Sequence, residues 1–146
     1  MNGDEPGEMP GGGGPALAGG AGFNDRPANM LICALAARDG NAILSVSGEL
    51  DLAAGPAFLG YLKRASDGGA HVVLDLSGLR YIDSTGINAL LNAHAKFART
   101  GRRIALAAVP PTIRRILGVV AVEDVIPVFP TVEAALESLR NPPNGQ

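Results

Sequence analysis

The stretch VVLDLSGLRYIDSTGINALL, residues 72–91, decides the fold of this chain. It opens with an aliphatic run, Val72 to Leu74, set between a Gly-Gly pair and polar residues, which is typical of a strand buried on both faces. From Ile87 onward, apolar residues recur at helical spacing and predict an amphipathic helix. Only small or polar residues, Asp83 to Gly86, separate the two patterns, so a strand is predicted to pass directly into a helix. The predicted inward face of that helix holds Ile87, Leu90, Leu91, His94, Phe97 and Ala98.

Two strand patterns and one helix pattern precede this stretch. Leu31–Ala37 and Ile43–Ser47 are predicted to pair as an antiparallel hairpin around the turn residues Asp39-Gly40-Asn41. A helix is predicted from near Asp51 to about Ala65, with Pro56 tolerated in its first turn. Its predicted apolar stripe consists of Phe58, Leu59 and Leu62.

Two further strands, each followed by a helix, are predicted after the central stretch. Arg103–Val109 is a predicted strand, followed by a helix that opens at Pro110-Pro111 with Ile113, Ile116 and Leu117 facing inward. Val125–Phe129 is the last predicted strand, and Pro127 places it at a sheet edge. Thr131 is predicted to cap a final helix. The order β-β-α-β-α-β-α-β-α predicts an α/β fold with a mixed sheet, mostly parallel.

Composition indicates one folded domain with a core built from aliphatic residues. The 146-residue chain is 47% hydrophobic but only 4% aromatic, and it contains no Trp. Residues 1–29 hold nine Gly and four Pro and have little apolar surface to offset the entropy of ordering. We therefore expect a disordered tail over 1–29, a domain over 30–140 and a flexible C-terminus over 141–146.

The net charge and the distribution of apolar residues argue against nucleic-acid and membrane partners. A formal net charge of −2 gives no electrostatic reason to expect nucleic acid. The N-terminal segment is acidic and lacks the apolar stretch of a signal peptide, and no apolar run approaches the ~20 residues that span a bilayer. We expect a cytoplasmic protein without a membrane partner. Cys33 lies in an apolar run and is expected to be a buried small hydrophobe rather than a reactive thiol.

The polar residues between the central strand and its helix form the strongest candidate site. Ser84 is placed where a helix N-cap belongs, and capping alone would explain it. However, Asp83 and Thr85 add more polar groups than one cap requires, and Gly86 leaves the backbone uncovered for the approach of another molecule. The carboxyl ends of parallel strands are also where α/β proteins place their sites. From these residues alone, a simple cap and a working site both stay open.

A catalytic role for Ser84 is disfavoured because neither histidine is placed to serve it. A nucleophilic serine needs a general base within hydrogen-bond reach. His94 lies ten residues along the same predicted helix, about 15 Å away at ~1.5 Å per residue. His71 starts the preceding strand, at the opposite end of the sheet. No nucleophile elbow or phosphate-binding glycine motif is present, so we expect no enzyme activity and no catalytic residues.

The segment SGLRYIDSTGINALL, together with GELD at 48–51, resembles the STAS-domain family, in particular the bacterial anti-sigma factor antagonists. The resemblance covers roughly residues 30–140. It includes LDLSGL before the candidate site, the strand RIALAAV and the closing VFPTVEAAL. It implies that the whole folded part is a single STAS domain.

This resemblance implies a regulatory site. In that family the first hydroxyl residue after the Asp is phosphorylated by an anti-sigma factor that is also an ATP-dependent serine kinase, so Ser84 would be the acceptor. Asp83, Thr85 and Gly86 would belong to the partner-binding turn, and Glu49–Asp51 to a loop beside it. The unphosphorylated protein would bind the anti-sigma factor and free a sigma factor for transcription. Phosphorylation would release it, and a serine phosphatase would reset this partner switch.

The family resemblance also implies that the chain needs no cofactor of its own. ATP and Mg²⁺ would belong to the partner kinase, so no cofactor is implied. No ligand-spacing motif supports a metal held by Glu49, Asp51 and Asp83. A monomer is the expected unit. The alternative within the same fold is a STAS scaffold or ligand-binding subunit of a transporter or stress-sensing assembly, without a phosphate cycle.

Overall fold

The computed structural model describes residues 30–140. The expectations for residues 1–29 and 141–146 therefore lie outside the described part of the chain. The element order matches the predicted α/β order throughout. The strands are β1 (Ile32–Arg38), β2 (Asn41–Leu50), β3 (Val72–Ile82), β4 (Ile104–Ala107) and β5 (Val128–Phe129), and the helices are α1 (Gly55–Ala65), α2 (Ser84–Arg99), α3 (Pro111–Val119) and α4 (Val132–Arg140).

The predicted mixed sheet is confirmed. Its strands lie in the order β1-β2-β3-β4-β5, with β1 antiparallel to β2 and every other pair parallel. The hairpin turn is one residue shorter than predicted, because Asn41 already pairs with Arg38. Asp39 and Gly40 have φ values of 55° and 80°, the left-handed pair that a two-residue hairpin turn requires.

The core lies on both faces of the sheet. One layer is formed by α1, α2 and α3 packed against the alternate strand residues that include Leu44, Leu74 and Leu106, each fully buried. The opposite face carries α4, whose Ala135, Leu136 and Leu139 cover part of β2, β3 and β4. No helix within residues 30–140 is long and apolar enough to cross a membrane.

Three residues placed on inward helix faces point to solvent instead. Leu59 is 42% exposed and Ile116 is 37% exposed, and Ala98 is also exposed. The buried faces of α1, α2 and α3 therefore differ from the faces that the hydrophobic pattern predicts. In α2, for example, the small residues Ala89 and Ala93 are buried beside Leu90, where the helix lies close to the sheet.

The lengths of the central strand β3 and the edge strand β5 differ from prediction. β3 extends well beyond the aliphatic run, to Ile82, because β2 pairs with it as far as Leu50 through two shifts in register. β5 has only two residues, and Pro127 comes just before it. The predicted edge position of β5 is confirmed, and the Pro127 carbonyl accepts a hydrogen bond from the backbone N–H of Leu106 (2.9 Å).

Candidate functional site

Ser84 is the first residue of α2, at the carboxyl end of β3. Its predicted role as the N-cap is wrong by one residue. Asp83 is the cap: it has extended backbone, and its side chain accepts a hydrogen bond from the N–H of Gly86 at 3.0 Å. Ser84 is exposed, and within residues 30–140 its hydroxyl has no hydrogen-bond partner. Capping therefore does not account for this serine.

The end of the sheet fixes Asp83 in the capping position. The backbone N–H of Asp83 donates to the carbonyl oxygen of Leu50 at 3.3 Å, which extends the β2–β3 pairing by one step. The Asp83 carbonyl in turn accepts the N–H of Ile87 at 2.9 Å, which closes the first turn of α2. Because the residue that ends the strand pairing also starts the helix, Ser84 becomes the first helical residue.

Gly86 has a different role from the one predicted. It is buried, and a Cβ at this position would lie 2.3 Å from the carbonyl oxygen of Leu50 and 2.8 Å from Cγ1 of Ile82. The expectation that this glycine leaves backbone open to another molecule is therefore wrong. Its missing side chain allows the first turn of α2 to pack directly on the end of β2.

The GELD segment lies beside the DSTG segment, as predicted. Leu50 is the register partner of Ile82, and Glu49 is the register partner of Tyr81. Glu49 is half-buried. The two predicted segments therefore occupy adjacent strand ends, and they place three carboxylates and one exposed hydroxyl at the same end of the sheet.

Asp51 has a structural role, while its role in partner binding stays a prediction. Its side-chain Oδ1 accepts the N–H of Ala54 at 3.1 Å, and its carbonyl accepts the N–H groups of Ala54 and Gly55. These bonds shape the turn that leads into α1.

Thr85, the second residue of α2, is half-buried and faces the surface only in part.

Two large apolar side chains at this end of the sheet were missed by sequence reasoning. Leu52 is 72% exposed directly after the GELD segment, and Tyr81 is 46% exposed shortly before Asp83. A search for polar groups passes over both residues. The available signal was the position of each residue, since Leu52 follows the polar residues Glu49 and Asp51 and Tyr81 lies between Arg80 and the DSTG segment.

Neither histidine lies beside the hydroxyl of Ser84. At the amino end of β3, away from the site, Nδ1 of His71 accepts the backbone N–H of Arg103 at 3.0 Å. His94 is half-buried in α2, as expected, and its buried Nδ1 has no hydrogen-bond partner. Among residues 30–140, no three His, Cys, Asp or Glu side chains are grouped as metal ligands would be. The site thus combines a free hydroxyl, a helix N-terminus, carboxylates and two exposed apolar groups.

Comparison with known proteins places this arrangement in a family. A family model described as STAS domain matches residues 34–135, which includes both the GELD and the DSTG segments. No curated protein sequence matches the chain significantly.

Several solved structures share the fold. An anti-sigma factor antagonist from Mycobacterium paratuberculosis is 24% identical, with a TM-score of 0.72 over 79% of this chain and 98% of that chain. The Bacillus cell fate determinant SpoIIAA, in its phosphorylated form, is 20% identical with a TM-score of 0.58 over 75% of this chain and 100% of that chain. A sulfate transporter family protein from Wolinella succinogenes is 18% identical with a TM-score of 0.62 over 72% of this chain and 88% of that chain.

Proposed function

Because the chain belongs to the STAS-domain family, we propose that it is an anti-sigma factor antagonist whose binding is switched off by phosphorylation of Ser84. The observation that carries this proposal is the uncommitted hydroxyl of Ser84. Asp83 supplies the helix cap, so modification of the neighbouring serine leaves the helix start intact. Exposure at the first residue of α2 leaves the hydroxyl within reach of a kinase.

The proposed contact surface joins the two strand ends around this hydroxyl. Leu52 and Tyr81 offer exposed apolar area, and Glu49, Asp51 and Asp83 give the surface negative charge. Exposed apolar side chains that are surrounded by charged groups are typical of protein interfaces. The partner that fits this surface is the anti-sigma factor, which would present apolar and basic groups to it.

Charge explains how phosphorylation would end the contact. An unmodified Ser84 presents a small neutral group, whereas a phosphate adds about −1.5 to −2 charges. The N-terminus of α2 would stabilise that charge by roughly 0.3–1 kcal/mol, while Asp83 next to it opposes the charge. Burying a phosphate in an interface shaped for a hydroxyl costs on the order of several kcal/mol. The helix therefore tolerates the phosphate, and the interface does not.

The complete cycle requires two other proteins. The anti-sigma factor acts as the serine kinase and supplies ATP and Mg²⁺, and a serine phosphatase restores the hydroxyl. The chain itself acts as ligand and substrate and is not an enzyme. One copy carries the whole surface around Ser84, so a single chain is the unit that binds. The switch would regulate sigma-factor-dependent transcription in the cytoplasm of a bacterium.

The structural neighbours support this proposal. Anti-sigma factor antagonists are among them, and one neighbour from Bacillus has been solved in a phosphorylated form. A neighbour from the sulfate transporter family gives the second candidate, a STAS subunit of a transporter or stress-sensing complex that cycles no phosphate. The two candidates differ in whether Ser84 is modified.

The test compares wild type, Ser84→Ala and Ser84→Glu as baits for binding partners in the source organism's lysate. Ser77→Ala, which changes an exposed serine on β3, is the matched control. We expect all baits except Ser84→Glu to bind a kinase-like protein, and Mg-ATP to release wild type and Ser77→Ala only. Intact-mass analysis should show one added phosphate, absent from Ser84→Ala. Normal ATP-driven release of Ser84→Ala would exclude Ser84 as the switch, and identical partners for all baits without phosphate would favour the scaffold.

A further inference from the structure

The strand β1 leaves one edge of the sheet without a partner strand in the described part of the chain. It pairs with β2 on one side only. The two-residue turn makes Arg38 and Asn41 a hydrogen-bonded pair, and such pairs alternate along an antiparallel ladder. The backbone groups of Ile32, Ala34 and Ala36 therefore bond to β2. Those of Cys33, Leu35 and Ala37 point outward from the sheet.

Within residues 30–140, the strand at this edge lacks the sequence features that usually prevent strand addition. From Ile32 to Ala37 the strand contains no charge and no Pro, and its pairing with β2 shows no bulge. Edge strands are normally protected by such features or by being very short. The opposite edge illustrates the contrast, because β5 has only two residues and follows Pro127. In the described part of the chain, β1 is therefore the edge that can accept another strand.

The side chains beside the open edge indicate what kind of strand would fit. Ile32 and Leu35 are each 43% exposed, and they lie on opposite faces of the sheet because their positions differ by an odd number. A strand added here would need apolar side chains on both faces. The sequence ICALAAR of β1 itself has that pattern.

We propose that two copies of this protein associate through antiparallel pairing of their β1 strands, with the two-fold axis at Leu35. In this register Leu35 lies opposite Leu35 of the partner subunit, and Cys33 lies opposite Ala37 of the partner subunit. All outward backbone groups of these three residues then pair, which gives six hydrogen bonds. The exposed Leu35 side chains meet on one face, and each Ile32 packs beside the stem of Arg38 of the partner subunit.

Charge favours the antiparallel arrangement over the parallel one. Parallel pairing in register would bring the two Arg38 side chains together, and like charges directly opposite are destabilising. With the axis at Leu35, the Arg38 residues lie six positions apart along the ladder, about 20 Å at ~3.4 Å per residue. Each subunit keeps its Ser84 surface open, because β2 separates β1 from β3. The inference is therefore independent of the proposed function.

The first test measures association of the full chain by sedimentation velocity over a range of concentrations. We expect wild type to form a concentration-dependent dimer. Leu35→Lys places like charges opposite each other at the axis and should weaken the dimer at least about tenfold, which is ~1.4 kcal/mol. Leu59→Lys is the matched control, because Leu59 is 42% exposed but lies on α1. A wild type that stays monomeric throughout, or equal effects of the two variants, would overturn the proposal.

The second test fixes the register by cross-linking in a Cys33→Ala background. Opposed residues of a hydrogen-bonded pair lie about 5.5 Å apart at Cα, within the range that a disulfide spans. Leu35→Cys should therefore give a covalent dimer on mild oxidation, whereas Leu59→Cys should give little. Circular dichroism of every variant checks that the fold is retained. Equal cross-linking of the two cysteine variants, or none at residue 35 of a folded protein, would contradict pairing at this axis.

Discussion

A Cβ on residue 86 would lie 2.3 Å from the carbonyl oxygen of Leu50. The same oxygen accepts the backbone N–H of Asp83 at 3.3 Å. One carbonyl at the end of β2 is thus in contact with both the cap and the first turn of α2. The glycine that follows the Asp-Ser-Thr sequence is required by this packing, and it holds the GELD and DSTG segments at one surface.

Replacement of this glycine should therefore destabilise the fold. Gly86→Ala forces the first turn of α2 away from β2 and should lower the free energy of unfolding by about 1–3 kcal/mol, measured by urea denaturation. Gly60→Ala is the matched control, since Gly60 is also helical and a Cβ there meets nothing within 4 Å. That change should raise stability by roughly 0.5–1 kcal/mol through helix propensity. Equal effects of the two changes would show that the contact with Leu50 is not limiting.

The cap assignment can be tested separately from the serine. Asp83→Ala removes the acceptor of the Gly86 N–H and should cost ~1 kcal/mol of unfolding free energy, whereas Asp83→Asn should retain most of it. Thr131→Ala, which removes the equivalent cap of α4, should cost a similar amount. If Ser84→Ala lowers the free energy of unfolding by the full ~1 kcal/mol and Asp83→Ala does not lower it, then Ser84 is the cap and the assignment to Asp83 is wrong.

Most of the fold could be predicted because its patterns are local. The alternation of strands and helices, the hairpin at Asp39-Gly40-Asn41 and the Thr131 cap depend on neighbouring residues, and the structure confirms each of them except that Asn41 belongs to β2 instead of the turn. Element lengths depend on distant pairing. The polar half of β3 becomes strand only because β2 runs beside it, which the residues of β3 alone do not indicate.

The candidate site was predicted in its location but not in its details. The family resemblance implied that the GELD segment lies beside the DSTG segment, and the pairing of β2 with β3 confirms that they are adjacent. The sequence pattern placed the cap at Ser84 instead of Asp83, because both residue types cap well and the backbone angles of the folded chain decide between them. The reason for Gly86 lies 36 positions away in sequence, in a contact with Leu50 that exists only in the folded chain.

Changes at Ser84 should leave stability nearly unaltered. Its exposed hydroxyl has no partner within residues 30–140, so Ser84→Ala should stay within about 0.5 kcal/mol of wild type. Ser84→Glu gains from the helix dipole and loses from repulsion by Asp83, and it should stay within about 1 kcal/mol. Urea denaturation of both variants checks this. A large loss of stability in Ser84→Glu would mean that failed partner binding by this variant reports unfolding instead of a switch.

The single thiol should be unreactive in the folded protein. Burial raises the pKa of Cys33 from 9.0 to about 11, so the thiolate fraction at pH 8 falls on the order of 100-fold. Labelling by a thiol reagent at pH 8 should be slower by a similar factor than labelling in concentrated urea. A native rate equal to the unfolded rate would show that β1 opens readily and that the thiol is not protected.

His71 should make stability depend on pH in the weakly acidic range. Burial, together with the nearby Arg103 and Arg102 charges, lowers the pKa of His71 below its ordinary value of 6.5, and its Nδ1 can accept the Arg103 N–H only when unprotonated. The unfolded chain therefore takes up a proton first as the pH falls. The contribution of His71 is complete above about pH 6.5 and is lost as the pH falls towards its folded-state pKa.

The measurement is the free energy of unfolding between pH 7.5 and pH 5 for wild type and His71→Gln. Glutamine retains an acceptor but does not titrate, so the variant should lose less stability than wild type over this range. The titration of carboxylates changes the free energy of unfolding of both proteins alike, so it cancels in the difference between wild type and His71→Gln. If the two pH profiles run parallel, protonation of His71 does not change the free energy of unfolding through its hydrogen bond with Arg103. The junction of β3 with β4 is then held by backbone pairing alone.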